Sequence, residues 1–162
     1  MRIRMPELQG AHFFADIEND AEVKKFVGDP SGESEVRYRE LISKLAADCR
    51  CLTIEMIHDQ RPVGRCGIIV SDDEAEIHLI LAKDYWKQKL GTEVAIALTE
   101  LAAEKFPGKT LVAKVHQGNN ASLAILQGLG MVPLGRISSS GYDNDFVRFE
   151  RPCLATPLNS DR

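Results

Sequence analysis

Two lysines and a tryptophan crowd the mouth of an amphipathic helix in the stretch Trp86-Lys87-Gln88-Lys89-Leu90-Gly91. A helix start exposes amides that lack intrahelical partners and carries partial positive charge, so an anion is at home there. Lys87 and Lys89 add charge that an anion can use; as solvated loop residues they would do nothing of the kind. Just upstream, AEIHLILA alternates Glu76 and His78 with Ile77, Leu79 and Leu81. A strand there presents a carboxylate and an imidazole on one face. Those are side chains that move protons, and histidine does so with an ordinary pKa near ~6.5. The plainer reading is a polar sheet face. A third cluster lies in HQGNNASL, where His116 closes a strand, Asn119 sits in a turn and Ser122 opens a helix. Serine suits a helix N-cap and asparagine suits a turn, so these two also have a structural reading.

The elements that must hold these groups follow from periodicity. MRIRM alternates as a short strand. Phe14, Ile17, Ala21 and Phe26 recur at helical intervals up to the breakers Gly28 and Pro30, and Val36, Leu41, Ile42 and Leu45 place a second helix over 34–49. The period then shortens. Residues 51–57, 63–70 and 75–82 read as strands joined by short polar turns, which predicts an antiparallel meander. A long helix with the stripe Leu90, Val94, Leu98, Leu101 and Phe106 ends at Pro107 and Gly108. A strand over 109–115, a short helix ending at a left-handed cap on Gly130, and two strands around the turn SSSGYDND complete the order. The fold class is α/β: one domain over 1–151 with a mixed, mostly antiparallel sheet, then a tail over 152–162. The step from Ala75 to Val115 is long enough for a right-handed parallel crossover.

The bulk numbers fit one domain with a real core, since 44% of the 162 residues are hydrophobic and 27% charged. A net charge of −4 argues against broad binding to nucleic acid or anionic membranes. No apolar run approaches the roughly 20 residues of a membrane span, and MRIRMPELQG has no apolar signal core, so a cytoplasmic protein is expected. Cys49, Cys51, Cys66 and Cys153 lack zinc-site spacing and read as reduced thiols, with no metal expected.

The order of elements and two segments together resemble the GNAT superfamily of N-acetyltransferases over residues 1–151. AEIHLILAKDYWKQKLGTEVA is similar to that family's acyl-CoA segment, and HQGNNASLAILQGLGM to its Asn-x-x-Ser segment with a short helix. Within the superfamily, Asn119, Ser122 and LQGLGM are closest to the branch of ribosomal-protein N-terminal acetyltransferases. The resemblance implies acetyl-CoA as co-substrate and a primary amine as acceptor. It implies that pyrophosphate meets the turn formed by Lys87, Gln88, Lys89, Leu90, Gly91 and Thr92. It further implies that backbone N–H groups of Leu79, Ile80 and Leu81 meet the thioester, that Glu76 or else His78 is the base, that Ser122 lies near the CoA sulfur, and that Asn119 bonds the pantetheine arm. The sequence departs from the family pattern at Trp86, in its first polar slot, and at Lys89, in its first glycine slot. The tyrosine that serves many relatives as proton donor is here Leu126. These departures motivate an alternative, a degenerate member that binds acyl-CoA or a protein partner without turnover. Asp72, Asp73, Glu74 and Glu76 favour a cationic amine, though a solvated turn would also use them. The resemblance sets acceptor choice in the loops 28–35 and 138–145, and a homodimer is the family's habit.

Overall fold

The computed structural model describes residues 1–27, 34–44, 49–139 and 142–153. The elements run β1 (Arg2–Arg4), α1 (Ala11–Asn19), α2 (Ala21–Lys24), α3 (Glu35–Lys44), β2 (Leu52–Glu55), β3 (Pro62–Val70), β4 (Glu74–Leu81), α4 (Leu90–Lys105), β5 (Thr110–His116), α5 (Asn120–Gly128), β6 (Val132–Ser139) and β7 (Tyr142–Pro152). The described strands form one seven-stranded sheet in the order β1-β2-β3-β4-β5-β7-β6. Every neighbouring pair is antiparallel except β4 and β5. The expected meander is β2-β3-β4, and the expected parallel crossover is β4-α4-β5.

The two faces of the sheet carry different cores. Ile77 and Leu81 of β4 pack with Leu90, Val94, Leu98 and Ala102 of α4, together with Leu111 and Phe149 from β5 and β7. Burying each such large apolar side chain contributes about 1.5–3 kcal/mol. Leu101 and Phe106, expected in the same stripe, pack at its margin and stay half-buried. Ala11, Phe14, Ala15, Tyr38, Ile42 and Cys51 form a smaller core beneath α1 and α3 on the other face.

Three local expectations are corrected. The first helix is two helices, because Asp20 leaves helical geometry at ψ 130° and its carboxylate accepts from Glu22 N and Val23 N, capping α2. Val36 is not on the buried face of α3; it is 65% exposed, and Tyr38 takes that place with its ring edge-on to Phe14 at 5.5 Å. The last turn is tighter than eight residues, since Ser139 pairs with Tyr142. β7 itself continues through Pro152 to a buried Cys153; the tail beyond it, and most of the loop 28–35, lie outside the described residues. Gly130 does take the left-handed cap, with φ 72°.

Candidate active site

The site begins where β4 and β5 part. Their pairing covers only Glu74↔Thr110, Ala75↔Leu111 and Glu76↔Val112, whereas β4 continues to Leu81 and β5 to His116. Main-chain groups alternate sides along a strand. Thr110 N donates to Asp73 O at 2.9 Å, and Ala82 N donates to Val63 O at 2.9 Å. Odd-numbered residues of β4 therefore turn their amides toward β5, and even-numbered ones toward β3. Leu79 and Leu81 point N–H groups into the gap with no strand opposite. Ile80, expected to do the same, turns its amide to β3.

A cleft of about 610 Å³ opens on that gap. Leu79–Leu81 form its floor, the start of α5 forms one wall, and Lys87, Lys89, Leu90, Gly91 and Thr92 form the other. The turn is held by Trp86, whose Nε1 donates to Leu81 O at 2.9 Å. Lys87 and Lys89 both stand in the left-handed region, at φ 60° and 64°. Lys89, the residue before α4, takes the left-handed backbone that glycine adopts most readily; it gives the helix no side-chain cap and so leaves the first amides to the cleft. Gly91 lies close to α5: a Cβ there would stand 3.3 Å from Ile125 Cδ1, so the tip of that side chain would have to give by a few tenths of an ångström. Gln88 is not in the cleft wall; its amide braces the turn by donating to Asp84 O at 2.9 Å.

A second cavity of about 570 Å³ lies on the α1–α3 side and meets the first along Phe26, Leu79, Ile80, Asn119, Ser122 and Ile125. Glu76 lines it, with Lys114 Nζ donating to its Oε2 at 2.7 Å. His78 lines it too, but both ring nitrogens are in use. Nε2 lies 2.8 Å from Arg50 O, which can only accept, so Nε2 carries the proton; Nδ1 then accepts from Arg65 at 3.2 Å. Burial, and then the neighbouring Arg65 guanidinium, push the imidazole pKa down to about 4. His78 thus has no lone pair for a substrate proton. It pins the Cys49–Arg50 segment, which crosses β3 so closely that a Cβ on Gly67 would lie 2.3 Å from Arg50 O. Arg65 is itself held by the buried Glu18 and lies over the Tyr38 ring, 5.5 Å from its centroid.

Asn119, not Ser122, is the N-cap of α5: its Oδ1 accepts from Ser122 N at 3.1 Å. Ser122 is therefore relieved of the capping role and stands at the junction of the two cavities. Leu126, in the tyrosine slot, is buried at 5% exposure. His116 lines the second cavity, with Nδ1 accepting from Gly118 N at 3.0 Å and its ring edge-on to Phe26 and Phe146. The turn carboxylates expected to attract a cation do not surround the site. Asp72 and Asp73 are exposed at the far end of β4, and Glu74 pairs with Arg148 at 2.7 Å. Lys114, Glu18, Arg65 and Phe26 were not legible as site residues. Only for Lys114 is there a signal, a lone cation in the apolar run of β5, and it becomes informative once the β4–β5 register puts it on the face of Glu76.

The model of the acetyltransferase (GNAT) domain matches residues 1–132. The chain belongs to the GNAT acetyltransferases. No curated protein matches it. Among solved structures, spermidine N-acetyltransferase from Vibrio cholerae, in complex with CoA and spermine, superposes with a TM-score of 0.79 at 16% identity, over 93% of this chain and 94% of that one. Ribosomal-protein-alanine N-acetyltransferase from Brucella melitensis gives 0.77 at 18% identity, over 94% and 99%. An acetyltransferase (GNAT family) from Bacillus anthracis gives 0.73 at 18% identity, over 91% and 90%. At these identities the likeness is one of fold. No described helix is long and apolar enough to cross a membrane, and no group of three or more metal-ligating His, Cys, Asp or Glu side chains occurs among the described residues.

Proposed function

We propose that this GNAT domain is an N-acetyltransferase that moves an acetyl group from acetyl-CoA directly to a primary amine of a small molecule or a protein N-terminus. The observation that carries the reading is the junction of two cavities at the β4–β5 split, beside the unpartnered amides of Leu79 and Leu81. The first cavity suits acyl-CoA in two ways. Its floor offers an open strand edge for an amide-bearing arm, and its end is a helix start flanked by Lys87 and Lys89 for a pyrophosphate. The LQGLGM segment and the Brucella neighbour favour the ribosomal-protein N-terminal branch.

Acetyl-CoA supplies a thioester as acyl donor. The protein must polarise its carbonyl, take a proton from the attacking amine and help the thiolate leave. Leu79 N–H, fixed by the sheet, is aimed where negative charge grows on the carbonyl oxygen. Glu76 faces the second cavity and takes the amine proton, directly or through a water. Lys114 holds one carboxylate oxygen, which orients the other. Ser122, whose amide is tied to Asn119 and which lines both cavities, passes a proton to the departing sulfur. The new bond is N–C and the broken one C–S, so one proton leaves the amine and one arrives on the thiol.

Acetyl-CoA is expected to bind in the micromolar range and to raise the thermal midpoint by mass action. A scan with and without millimolar acetyl-CoA, followed by assay of free CoA with amine panels, checks this. A folded protein with no shift would remove the reading, and a shift without CoA release for any amine would favour the binding-only alternative.

A further inference from the structure

We infer that the amine acceptor carries an aromatic group beside its amine, and that Phe26 is the residue that reads it; this rests on the acetyltransferase reading above. Phe26 lines both cavities where they meet. Its ring bridges their two walls. On one side it stands 6.3 Å from the Trp86 ring of the first cavity, and on the other 5.8 Å from the His116 ring of the second. The row continues to Phe146, 5.5 Å beyond His116 and directly opposite it in the β5–β7 ladder. All three separations fall in the range of about 4.5–7 Å over which aromatic rings attract one another.

The row is fixed before any ligand arrives. Trp86 Nε1 donates to Leu81 O, and His116 Nδ1 accepts from Gly118 N. Phe26 leaves α2 on continued turn bonds, with Phe26 N donating to Val23 O at 3.0 Å and Val27 N to Lys24 O at 3.3 Å, and Val23 is buried. Rings held in this way lose little conformational entropy when a ligand settles on them. Phe26 and His116 nevertheless stay only half-buried beside the cavities. Successive rings meet at interplanar angles of 52°, 64° and 88°. Tilted and edge-on rings present both faces and edges along the row, and an incoming ring pairs with either through the opposite charge of face and edge. An acceptor whose amine reaches the junction places the group next to that amine against this row. An aliphatic group would bury area there without the ring–ring attraction.

The test compares α-amino amides of one backbone on the full-length protein with saturating acetyl-CoA: phenylalaninamide, cyclohexylalaninamide, leucinamide and glycinamide, read by CoA release. Phenylalaninamide is expected to exceed glycinamide in kcat/KM by about tenfold or more, from burial of the ring. It should exceed cyclohexylalaninamide by about twofold to tenfold, from the ring–ring contact. Phe26→Leu should bring those two to parity, and Phe26→Tyr should keep them apart. Each comparison is a ratio on one protein preparation, so partial loss of folded enzyme cancels. Equal or better use of cyclohexylalaninamide, leucinamide or glycinamide by the wild type overturns the inference, as does a Phe26→Leu loss shared equally by all four. If none of the four turns over, calorimetry on the CoA-loaded protein must show phenylalaninamide binding more tightly than cyclohexylalaninamide; equal, weaker or absent binding overturns it. 2-Phenylethylamine and a peptide beginning Phe-Ala, run alongside, distinguish a small arylalkylamine from a polypeptide N-terminus as the source of the ring. Failure of the parent reading is separate, seen as no stabilisation by acetyl-CoA.

Discussion

The two cavities are built from different materials. The first is a main-chain construction: an unpaired strand edge at Leu79 and Leu81, a turn with two residues at positive φ, and a helix start. The second is a side-chain construction, made of ion pairs whose members are 47 residues apart (Glu18 and Arg65) and 38 apart (Glu76 and Lys114). A main-chain site serves a ligand that does not vary between family members, and it tolerates substitution because no one side chain defines it. A paired side-chain site can be rewritten one residue at a time, and on the proposed reading it is the side from which the acceptor approaches. Substitutions should therefore hurt far more in the second cavity than in the first.

The largest expected effect is at Glu76. Glu76→Gln keeps the size of the side chain and an oxygen for Lys114, but removes the proposed base. Turnover should fall by about 10²–10⁴-fold, with acetyl-CoA affinity changed little. The rising limb of the pH–rate profile should flatten as well. Steady-state kinetics across pH, with CoA affinity from calorimetry, checks both; normal turnover would pass the role to a water or another residue and break the contrast between the cavities.

His78 should show itself in stability. Its folded pKa of about 4 lies below the ordinary value of 6.5. As pH falls below 6.5, the unfolded chain takes up a proton that the folded imidazole refuses until about 4. The contribution is fully present above that window and is lost as pH falls through it, to a maximum of roughly 3 kcal/mol. His78→Gln retains a donor for Arg50 O and an acceptor for Arg65 but does not titrate. Urea midpoints from near-neutral pH down to about 4 should converge for the two proteins as the wild type loses stability faster. Parallel curves would mean that His78 is not the buried neutral pin it is described as, and would return it to the list of bases.

How much of this was legible in the sequence follows from the same contrast. The anion-ready turn and the alternation of Glu76 with Ile77 are local, with periods of a few residues; they place the elements as the structure has them, and Leu79–Leu81 and the turn residues Lys87, Lys89, Leu90, Gly91 and Thr92 line one cavity. Lys89 was harder, because a lysine gives no sign of positive φ, which here the turn imposes. Asp20 was missed as a break because its capping bond competes with an apolar pattern that runs on through it. The pairs Glu18–Arg65 and Glu76–Lys114 depend on strand register and on how α1 lies across β3, and no local period encodes either. The surroundings of His78 were hidden for that reason: alternation gives its face, whereas only the crossing Cys49–Arg50 segment and Arg65 reveal that both nitrogens are hydrogen-bonded.

The smallest effect, and the one that sharpens the comparison most, is expected at Lys89. Its backbone sits at φ 64°, where a side chain is disfavoured, so the lysine is retained at some cost to stability. Lys89→Gly should relieve that strain and raise stability by about 0.5–1 kcal/mol, less what glycine's extra freedom gives to the unfolded chain. Lys89→Ala keeps the strain and removes only the charge. If the ammonium reaches a phosphate oxygen, both variants should weaken CoA binding several-fold at low ionic strength, and the gap should close as salt is raised, because the site is solvent-facing. If the main chain alone makes the first cavity, neither variant should change CoA affinity at any salt. Tighter binding by the glycine variant would show that the lysine obstructs the turn, and would favour a member of the family that has lost its turnover. Denaturant midpoints and CoA titrations of wild type, Lys89→Ala and Lys89→Gly at two salt concentrations separate the three outcomes, since strain moves only the first measurement and charge only the second.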